Sequence, residues 1–406
     1  MSPPLCPPKV AGIYGISGCG KSHVLSQLAR RRPEWRCVEG SDTLRSIVKR
    51  ESLQWETFQA DKIVANKCRS LAIDEIRAFD GLTLVAGHCS FPHDETGSSF
   101  DDVFTVADAA TYDAIVYLDV DISAVASQRR QDNHNKQRVR PSLSSDTLEK
   151  WLQHEKELLR KECKVHQIPL HIVSVHGDAE KNSVTDTIEQ LLVNTLVSPM
   201  VQQAQNQSER ALREAVSAVV AQASRQTSVF LVIDGDRTMS IRDTSELFFD
   251  EVSGVEHGSL KQIFQRYTEY TFEAFFEVAM LYTKLFQEPD DYVQTAENVG
   301  TNRVELFHQW KEFLVNLPAT VHPILVTSGI REVWIQALSQ YAIPVCSSQE
   351  SPRDGRGISI LAGNHLRLHP YVMDSAGKGL VVAELRRLVG GCTVIAFGDS
   401  GELLDS

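Results

Sequence analysis

The sequence predicts an α/β protein of two domains, each built on a parallel β-sheet. Short apolar runs alternate with segments of helical periodicity over residues 9–195 and again over residues 228–406. This alternation is typical of parallel strands joined by helices. A segment rich in Gln, Ala and Ser, residues 196–227, separates the two patterns and has apolar residues at helical spacing. With 406 residues, 42% of them hydrophobic, the chain can form two cores joined by this helical connector.

Composition and charge exclude several classes of protein. No run of eighteen apolar residues occurs and the first residues lack the apolar stretch of a secretory signal, so we expect a cytoplasmic protein with no membrane partner. The net charge of -12 disfavours nucleic acid as a partner. The eight cysteines show no paired spacing typical of zinc sites or disulfide frameworks. We expect a small-molecule substrate, and the sequence leaves the oligomeric state open.

A glycine-rich segment near the N-terminus has the G-x-x-x-x-G-K-S pattern of a phosphate-binding loop. It directly follows an apolar strand and directly precedes a helical run, which is the order that this motif requires. Its glycines let backbone N–H groups surround phosphates, Lys21 reaches the β and γ phosphates, and the Ser22 hydroxyl binds Mg²⁺. The sequence therefore predicts ATP and Mg²⁺ as cofactors. The expected nucleotide-binding residues are Gly15, Ser17, Gly18, Cys19, Gly20, Lys21 and Ser22.

A basic cluster follows the strand predicted at residues 114–118. It consists of Arg129, Arg130, Arg138 and Arg140, and in this order the domain resembles the adenylate-kinase-like small-molecule kinases. In such kinases arginines at this place lie on a lid that closes over the transferring phosphoryl group. The resemblance implies that the first three arginines bind the nucleotide, while a solvated helix face is the alternative.

The acceptor is expected beside the second predicted strand, where related kinases hold it. Asp42 would orient or deprotonate the acceptor hydroxyl, and Arg45 would bind an anionic group next to it. A helix N-cap is an equally good explanation for Ser41 or Asp42. His88, at the end of the third strand, either faces the acceptor or is structural. Asp119 is the candidate for the acid that assists Mg²⁺ binding.

Two aspartates mark the second domain. Asp234 and Asp236 stand two residues apart directly after an apolar strand, so that in an extended loop their carboxylates share one side. One can then attack phosphorus while the other protonates the leaving alcohol and later activates water. Completed by Thr238, this D-x-D-x-T segment resembles the first motif of the haloacid dehalogenase superfamily. The resemblance implies that Asp234 is the nucleophile and that both aspartates bind Mg²⁺.

Three further segments occur in the order of that superfamily. Thr327 follows the strand at residues 324–326 and matches the hydroxyl residue that binds the phosphate. Lys378, within Gly-Lys-Gly, matches the lysine that stabilises the charge of the aspartyl-phosphate. Asp399, after the strand at residues 393–397, matches the acid that holds Mg²⁺.

The resemblance extends to a cap and includes two departures. Aromatic residues at helical spacing in residues 245–316 predict a helical cap like that of phosphoserine-phosphatase-like members, or alternatively only the core of that segment. Arg237 stands where a small residue is common. Leu403 and Leu404 stand where a further acid is usual.

The sequence thus predicts a P-loop domain with a lid and a Rossmann-like haloacid dehalogenase core with a helical cap. The corresponding function is a bifunctional protein, an ATP-dependent small-molecule kinase and a Mg²⁺-dependent phosphomonoester phosphatase. The sequence leaves two alternatives open, a polynucleotide kinase-phosphatase and an ATP-binding regulatory protein with a decayed phosphatase domain.

Overall fold

The chain forms two compact units, one within Pro7–Met200 and one within Val201–Ser406. Among the residues described, no helix is long and apolar enough to cross a membrane. The computed structural model describes residues 8–134, 143–175, 181–252, 259–267, 270–346, 357–363 and 365–398.

A five-stranded, fully parallel sheet forms the centre of the N-terminal unit, as the alternating pattern predicts. Its strand order is β2-β3-β1-β6-β7. The central β1 lies between β3 and β6, so successive crossovers leave it in opposite directions and a crevice opens at its carboxyl end. The strands are β1 (Lys9–Tyr14), β2 (Arg36–Glu39), β3 (Leu82–Gly87), β6 (Ala114–Val120) and β7 (Leu170–Val175), with a separate antiparallel pair β4 (Ser90–Pro92) and β5 (Phe100–Asp102).

Helices connect these strands and pack on the sheet through apolar faces. In the longest of them, α7, the buried residues recur at intervals of three and four and include Leu148, Trp151, Leu152 and Leu159. The helices are α1 (Lys21–Arg31), α2 (Gly40–Arg50), α3 (Trp55–Ala60), α4 (Lys62–Arg77), α5 (Val106–Ala109), α6 (Ile122–His134), α7 (Ser145–His166) and α8 (Lys181–Leu192). A π-helical segment, Val193–Val197, leads into α9 (Ser198–Gln222).

The start of α2 differs from the boundary expected at Ser41 or Asp42. The helix begins at Gly40, its N-cap is Glu39 without a side-chain cap bond, and Asp42 lies in the first turn. A Cβ at Gly40 would come within 2.9 Å of the Ala86 carbonyl oxygen. The glycine therefore lets the helix start directly against β3, and packing rather than capping sets this boundary.

The C-terminal unit contains a four-stranded parallel sheet in the order β10-β9-β8-β11. Its first strand in sequence, β8, lies between β9 and β11, so the carboxyl end of β8 is again a point where the connections diverge. The strands are β8 (Val229–Asp234), β9 (Val321–Ile330), β10 (Ser359–Gly363) and β11 (Thr393–Phe397).

Helices fill the segment between β8 and β9, and several aromatic side chains of this segment are buried. Phe248 contacts Tyr282, Phe286 and Tyr292 with ring centroids 5.2 to 5.6 Å apart. These residues belong to one apolar core that also contains Trp334. These four aromatic side chains, Phe248, Tyr282, Phe286 and Tyr292, therefore belong to the core of the C-terminal unit. The helices are α10 (Thr244–Glu251), α11 (Ser259–Phe264), α12 (Phe272–Leu285), α13 (Pro289–Asn302) and α14 (His308–Val315), with α15 (Arg331–Gln340) and α16 (Ser375–Leu388) after β9.

The close contact of α13 with α15 gives a stability prediction. A Cβ at Gly300 would lie 2.4 Å from the Val333 carbonyl oxygen, so Gly300→Ala should force the two helices apart. We expect a loss of about 1–3 kcal/mol in the free energy of unfolding, measured by urea denaturation. Gly390→Ala is the control, because a Cβ there meets nothing within 4 Å. Equal stability of the two variants would contradict the prediction.

Candidate active sites

The glycine-rich loop joins β1 to α1 and has the conformation that its glycines permit. Gly15, Gly18 and Gly20 have φ angles of 148°, 100° and 98°, which residues with a Cβ rarely adopt. A Cβ at Gly15 would also approach the Cys19 sulfur to 2.8 Å. The loop therefore wraps tightly at the carboxyl end of β1 and directs the N-terminus of α1 into the crevice, an arrangement suited to phosphate.

Lys21, the first residue of α1, lies inside this loop. Its side chain is buried, and its Nζ donates to the carbonyl oxygens of Gly15 at 2.5 Å and Ile16 at 3.3 Å. His88 Nε2 lies 3.3 Å from the same Nζ. The ammonium group therefore stands where the loop, α1 and the end of β3 meet, next to the exposed Ser22.

The basic cluster is only partly brought to the loop. Arg129 on α6 is buried, and its guanidinium donates to the Ser17 carbonyl oxygen at 3.1 Å. Arg130, its neighbour, is exposed, and Arg138 lies outside the described residues. Arg129 thus supports the loop through its backbone.

A cavity of about 1320 Å³ opens beside the loop, within the N-terminal unit. Sites for drug-sized ligands typically measure about 300–1,000 Å³, so this volume suits a nucleotide together with a small acceptor. The loop and α1 form one side of the cavity, and the ends of β2 and β3 with α2 and α4 form the other. Its polar lining includes Ser22, Glu39, Arg45, Arg69, His88 and Asp108.

Two carboxylates that the sequence proposed for the kinase site do not line this cavity. Asp42 is exposed and lies 3.4 Å from the Arg45 guanidinium. Arg45 itself does line the cavity, and it also lies over the Trp55 ring, 5.4 Å from its centroid. Asp119 is bound by Lys156 on α7, whose Nζ lies 3.2 Å from both carboxylate oxygens. The structure thus brings Arg45, and neither Asp42 nor Asp119, to the cavity.

A buried glutamate that the sequence analysis missed lies behind His88. Glu155 on α7 has no exposed surface, and its Oε1 accepts from the backbone N–H groups of Cys89 and Ser90, each at 3.2 Å. Burial raises the pKa of the Glu155 carboxyl, while the charge of Lys21 lowers it. The sequence contained a signal, because Glu155 lies four residues from both Trp151 and Leu159, on the apolar face of α7.

In the C-terminal unit, Asp234 lies at the end of β8 beside a lysine distant in the sequence. Lys378, in the first turn of α16, places its Nζ 2.9 Å from Asp234 Oδ1. Both side chains are less than a tenth exposed. The pair is held by the close approach of α16 to the carboxyl edge of the sheet.

Asp236, two residues later, is fixed by donors from two elements. Its Oδ1 accepts from the Thr244 N–H at 2.7 Å, and its Oδ2 accepts from the Thr327 hydroxyl at 3.0 Å. Burial, followed by the negative charge of Asp243, raises the pKa of Asp236 to about 7. This side chain is therefore suited to carry a proton near neutral pH and to release it.

Glycine is required where β9 meets this loop. A Cβ at Gly329 would lie 2.5 Å from Asp236 Oδ2 and 2.9 Å from the Trp334 indole nitrogen. The neighbouring Arg237 has a positive φ of 60°, and its side chain is 62% exposed. The structure thus brings Asp234, Asp236, Thr327 and Lys378 to one place, with Arg237 directed to solvent.

The donor set at this place fits a hard cation. Asp234 at the end of β8 and Asp236 in the loop that follows supply carboxylate oxygens, which Mg²⁺ prefers. Lys378 places a positive charge beside Asp234, and this charge offsets part of the negative charge of the two carboxylates. Among the described residues no group of three His, Cys, Asp or Glu side chains could hold a metal ion. Asp399, the third expected ligand, lies outside the described residues.

Comparisons with known proteins bear mainly on the N-terminal unit. A protein-family model described as an AAA domain matches residues 14–149, less than half of the chain. No curated protein matches the chain. The family match and the loop geometry together make the N-terminal unit a P-loop kinase-like domain, which implies nucleotide binding. The predicted α/β class with parallel sheets is confirmed, and the haloacid dehalogenase assignment stays a prediction.

The solved structures that resemble the chain include the following three, all at low identity. Shikimate kinase from Bacteroides thetaiotaomicron is 15% identical, with 45% of this chain and 98% of that chain covered and a TM-score of 0.31. Shikimate kinase from Acinetobacter baumannii in complex with shikimate is 14% identical, with 46% and 95% covered and a TM-score of 0.32. The Pnkp1/Rnl/Hen1 RNA repair complex is 9% identical, with 98% and 92% covered and a TM-score of 0.26. At these TM-scores the likenesses say nothing about substrate.

The contact of Arg129 with the loop gives a prediction. Arg129→Ala should raise the Kd for MgADP about tenfold, because a hydrogen bond from a charged group contributes about 1.5–3 kcal/mol and here holds the loop backbone. Arg130→Ala, an exposed neighbour on the same helix, should have a smaller effect. Isothermal titration calorimetry measures both. A larger effect at Arg130 would instead favour the predicted lid role.

Proposed function

We propose that this chain is a bifunctional phosphoryl-transfer protein that combines an ATP-dependent small-molecule kinase with a Mg²⁺-dependent phosphomonoester phosphatase. The kinase domain would comprise residues 9–195 and the phosphatase domain residues 228–406, joined by a helical connector at residues 196–227. The observation that carries the kinase assignment is the phosphate loop, which opens onto a cavity large enough for both nucleotide and acceptor.

The kinase half uses the loop for the donor. Lys21 meets the β and γ phosphates, and its buried position next to the loop carbonyls restrains it for this task. The Ser22 hydroxyl is exposed at the cavity and suits a Mg²⁺ ligand. Catalysis of this kind consists mainly of positioning and of stabilising charge on the transferred group.

Two arginines define the acceptor side. Arg45 on α2 and Arg69 on α4 both line the cavity, as does Asp108, whose carboxyl pKa is raised by partial burial and lowered to a lesser extent by the charge of Arg69. Planar guanidinium groups suit carboxylate or phosphate recognition. We therefore expect the acceptor to be a small hydroxylated molecule that carries an anionic group.

The phosphatase half rests on the four side chains gathered at the end of β8. Asp234 would attack the phosphorus of a phosphomonoester, and Asp236 would give its proton to the leaving alcohol and then take one from water. Thr327 and Lys378 would bind the phosphate oxygens and offset their charge. Mg²⁺, held by Asp234, Asp236 and Asp399, would neutralise part of the phosphate charge when bound. The position of β8 between β9 and β11 supports this assignment.

The substrates can be found by direct assay. Purified protein with MgATP is incubated with a panel of anionic hydroxylated metabolites and, separately, with a 5′-hydroxyl oligonucleotide. A phosphomonoester panel that includes p-nitrophenyl phosphate tests hydrolysis. Transfer to the oligonucleotide alone would contradict the small-molecule proposal and favour end repair. ATP binding without transfer or hydrolysis would favour the regulatory alternative.

The first functional prediction concerns Lys21. Lys21→Ala should lower the kcat of ATP-dependent transfer about a hundredfold or more, because the charge that meets the β and γ phosphates is lost. Lys67→Ala is the control, since this lysine on α4 is exposed and paired with Glu51. Labelled phosphate transfer is the measurement. Near wild-type transfer in Lys21→Ala would make the loop assignment wrong.

The second functional prediction concerns Asp234. Asp234→Asn should reduce phosphomonoester hydrolysis to background, because an amide cannot act as the nucleophile. Asp250→Asn on α10 is the control, as this carboxylate is half-exposed and paired with Arg242. Kinase turnover in Asp234→Asn should persist because the two sites lie in different units. A folded Asp234→Asn variant without kinase activity would show that the two sites are coupled.

A further inference from the structure

We propose that His88 is the general base of the kinase reaction and that Glu155 is the positioning residue that orients it, an inference that rests on the proposed kinase function. The sequence suggests Asp42 for this task. Asp42 is exposed, however, and is not one of the described residues that line the cavity. His88 follows β3 directly and does line it.

The position of the imidazole relative to Lys21 supports a role in transfer. His88 Nε2 lies 3.3 Å from Lys21 Nζ. A P-loop lysine binds the β and γ phosphates, so a group at this distance stands beside the phosphoryl group that is transferred. An acceptor hydroxyl must come to the same place to attack phosphorus. The imidazole is therefore within reach of the proton that the hydroxyl loses.

Aromatic contacts restrain the orientation of the ring, and a carboxylate lies on its Nδ1 side. The imidazole stacks on Trp151 with ring centroids 5.9 Å apart and an interplanar angle of 22°, and it contacts Phe91 with centroids 5.2 Å apart. Its Nδ1 faces Glu155 Oε1 at 4.0 Å. A carboxylate on this side favours the tautomer with the proton on Nδ1, which leaves the lone pair of Nε2 directed toward Lys21 and the cavity.

Glu155 is itself rigidly held. Its Oε1 accepts from the Cys89 and Ser90 backbone amides, and its Oε2 accepts from the Tyr117 hydroxyl at 3.2 Å. Both oxygens thus act as acceptors, as those of a carboxylate do. A buried carboxylate is costly unless it is hydrogen-bonded; burial raises the pKa of Glu155, and the charge of Lys21 lowers it.

The chemical step balances within the cavity. The acceptor hydroxyl oxygen bonds to the γ-phosphorus while the bond from that phosphorus to the β–γ bridging oxygen breaks, and ADP keeps the electron pair. The hydroxyl proton passes to His88 Nε2. The charge of Glu155 offsets the imidazolium formed, and the side chain of His88, 22% exposed, returns the proton to solvent.

In the described part of the chain, the charged groups beside the imidazole include Lys21 from α1 and Glu155 from α7. Four other titratable side chains in the buried region around Lys21 and Glu155 are neutral near pH 7, because burial raises their pKa. They are Cys19 from the loop, Cys89 after β3, Tyr14 from β1 and Tyr117 from β6. A base at His88 must be neutral to act, so turnover is expected to fall as the pH is lowered and the imidazole gains a proton.

The test compares His88→Gln with wild type in ADP release from MgATP, with water as the acceptor, across a pH series. Glutamine keeps a polar contact near Lys21 but cannot act as the base. We expect kcat to fall about a hundredfold and the acidic limb of the pH profile to disappear. His93→Gln is the matched control, because His93 is 68% exposed and paired with Asp101 on the β4–β5 hairpin.

Two variants at Glu155 test the positioning role. Glu155→Gln should lower kcat about tenfold and move the acidic limb to lower pH, since the carboxylate no longer stabilises the imidazolium. Glu155→Asp keeps the charge and should restore the limb toward its wild-type position. Nucleotide binding and thermal melting show whether each variant is folded. If Glu155→Gln does not fold, His88→Gln and its pH profile decide the question.

The outcomes separate this inference from the proposed function. Wild-type protein that neither binds nor turns over MgATP would overturn the kinase proposal itself. If the wild-type protein turns over MgATP and His88→Gln has a kcat within threefold of it and the same acidic limb, the role of His88 alone is overturned. A hundredfold loss in His88→Gln with the acidic limb unchanged would make His88 a binding residue and would also overturn its role as the base.

Discussion

Both sites depend on the constraint that parallel strands end at the same edge of a sheet. In the N-terminal unit, the phosphate loop follows β1 and His88 follows β3, and the two strands are paired along their length. In the C-terminal unit, Asp234 ends β8 and Thr327 lies in the paired β9. Side chains distant in the sequence meet because the strands carry them to one edge, where helix N-termini also point. The chemistry of each unit follows from this arrangement.

The sequence predicted the features that local patterns encode. The strands predicted at residues 114–118 and 393–397 and the phosphate loop follow from short apolar runs and from glycine spacing. It did not predict features that tertiary packing decides. Asp42 has the right place in the chain, but α2 turns it to solvent. Glu155 lies in a charged stretch; its spacing from Trp151 and Leu159 places it on the apolar face of α7, but only the packing of that helix buries it.

Each candidate site contains a buried lysine, Lys21 in one and Lys378 in the other, and the two are satisfied differently. Lys21 donates to backbone carbonyl oxygens of its own loop. These carbonyl groups are neutral dipoles, so they leave the positive charge of Lys21 available to an anion. Lys378 is paired with the Asp234 carboxylate, so its charge is already matched. The first arrangement suits attraction of a polyanion. The second suits a nucleophile that must be held ionised while burial disfavours its charge.

The sequence separation of these contacts has a consequence for the order of folding. The contact of Lys21 with Gly15 closes over 6 residues, whereas that of Lys378 with Asp234 closes over 144. Contacts between distant residues form slowly because the entropy of closing the intervening chain is lost first. During synthesis on the ribosome the phosphate loop can therefore form early. The site at Asp234 is complete only after α16 has emerged and docked, so a nascent chain acquires its two halves in sequence.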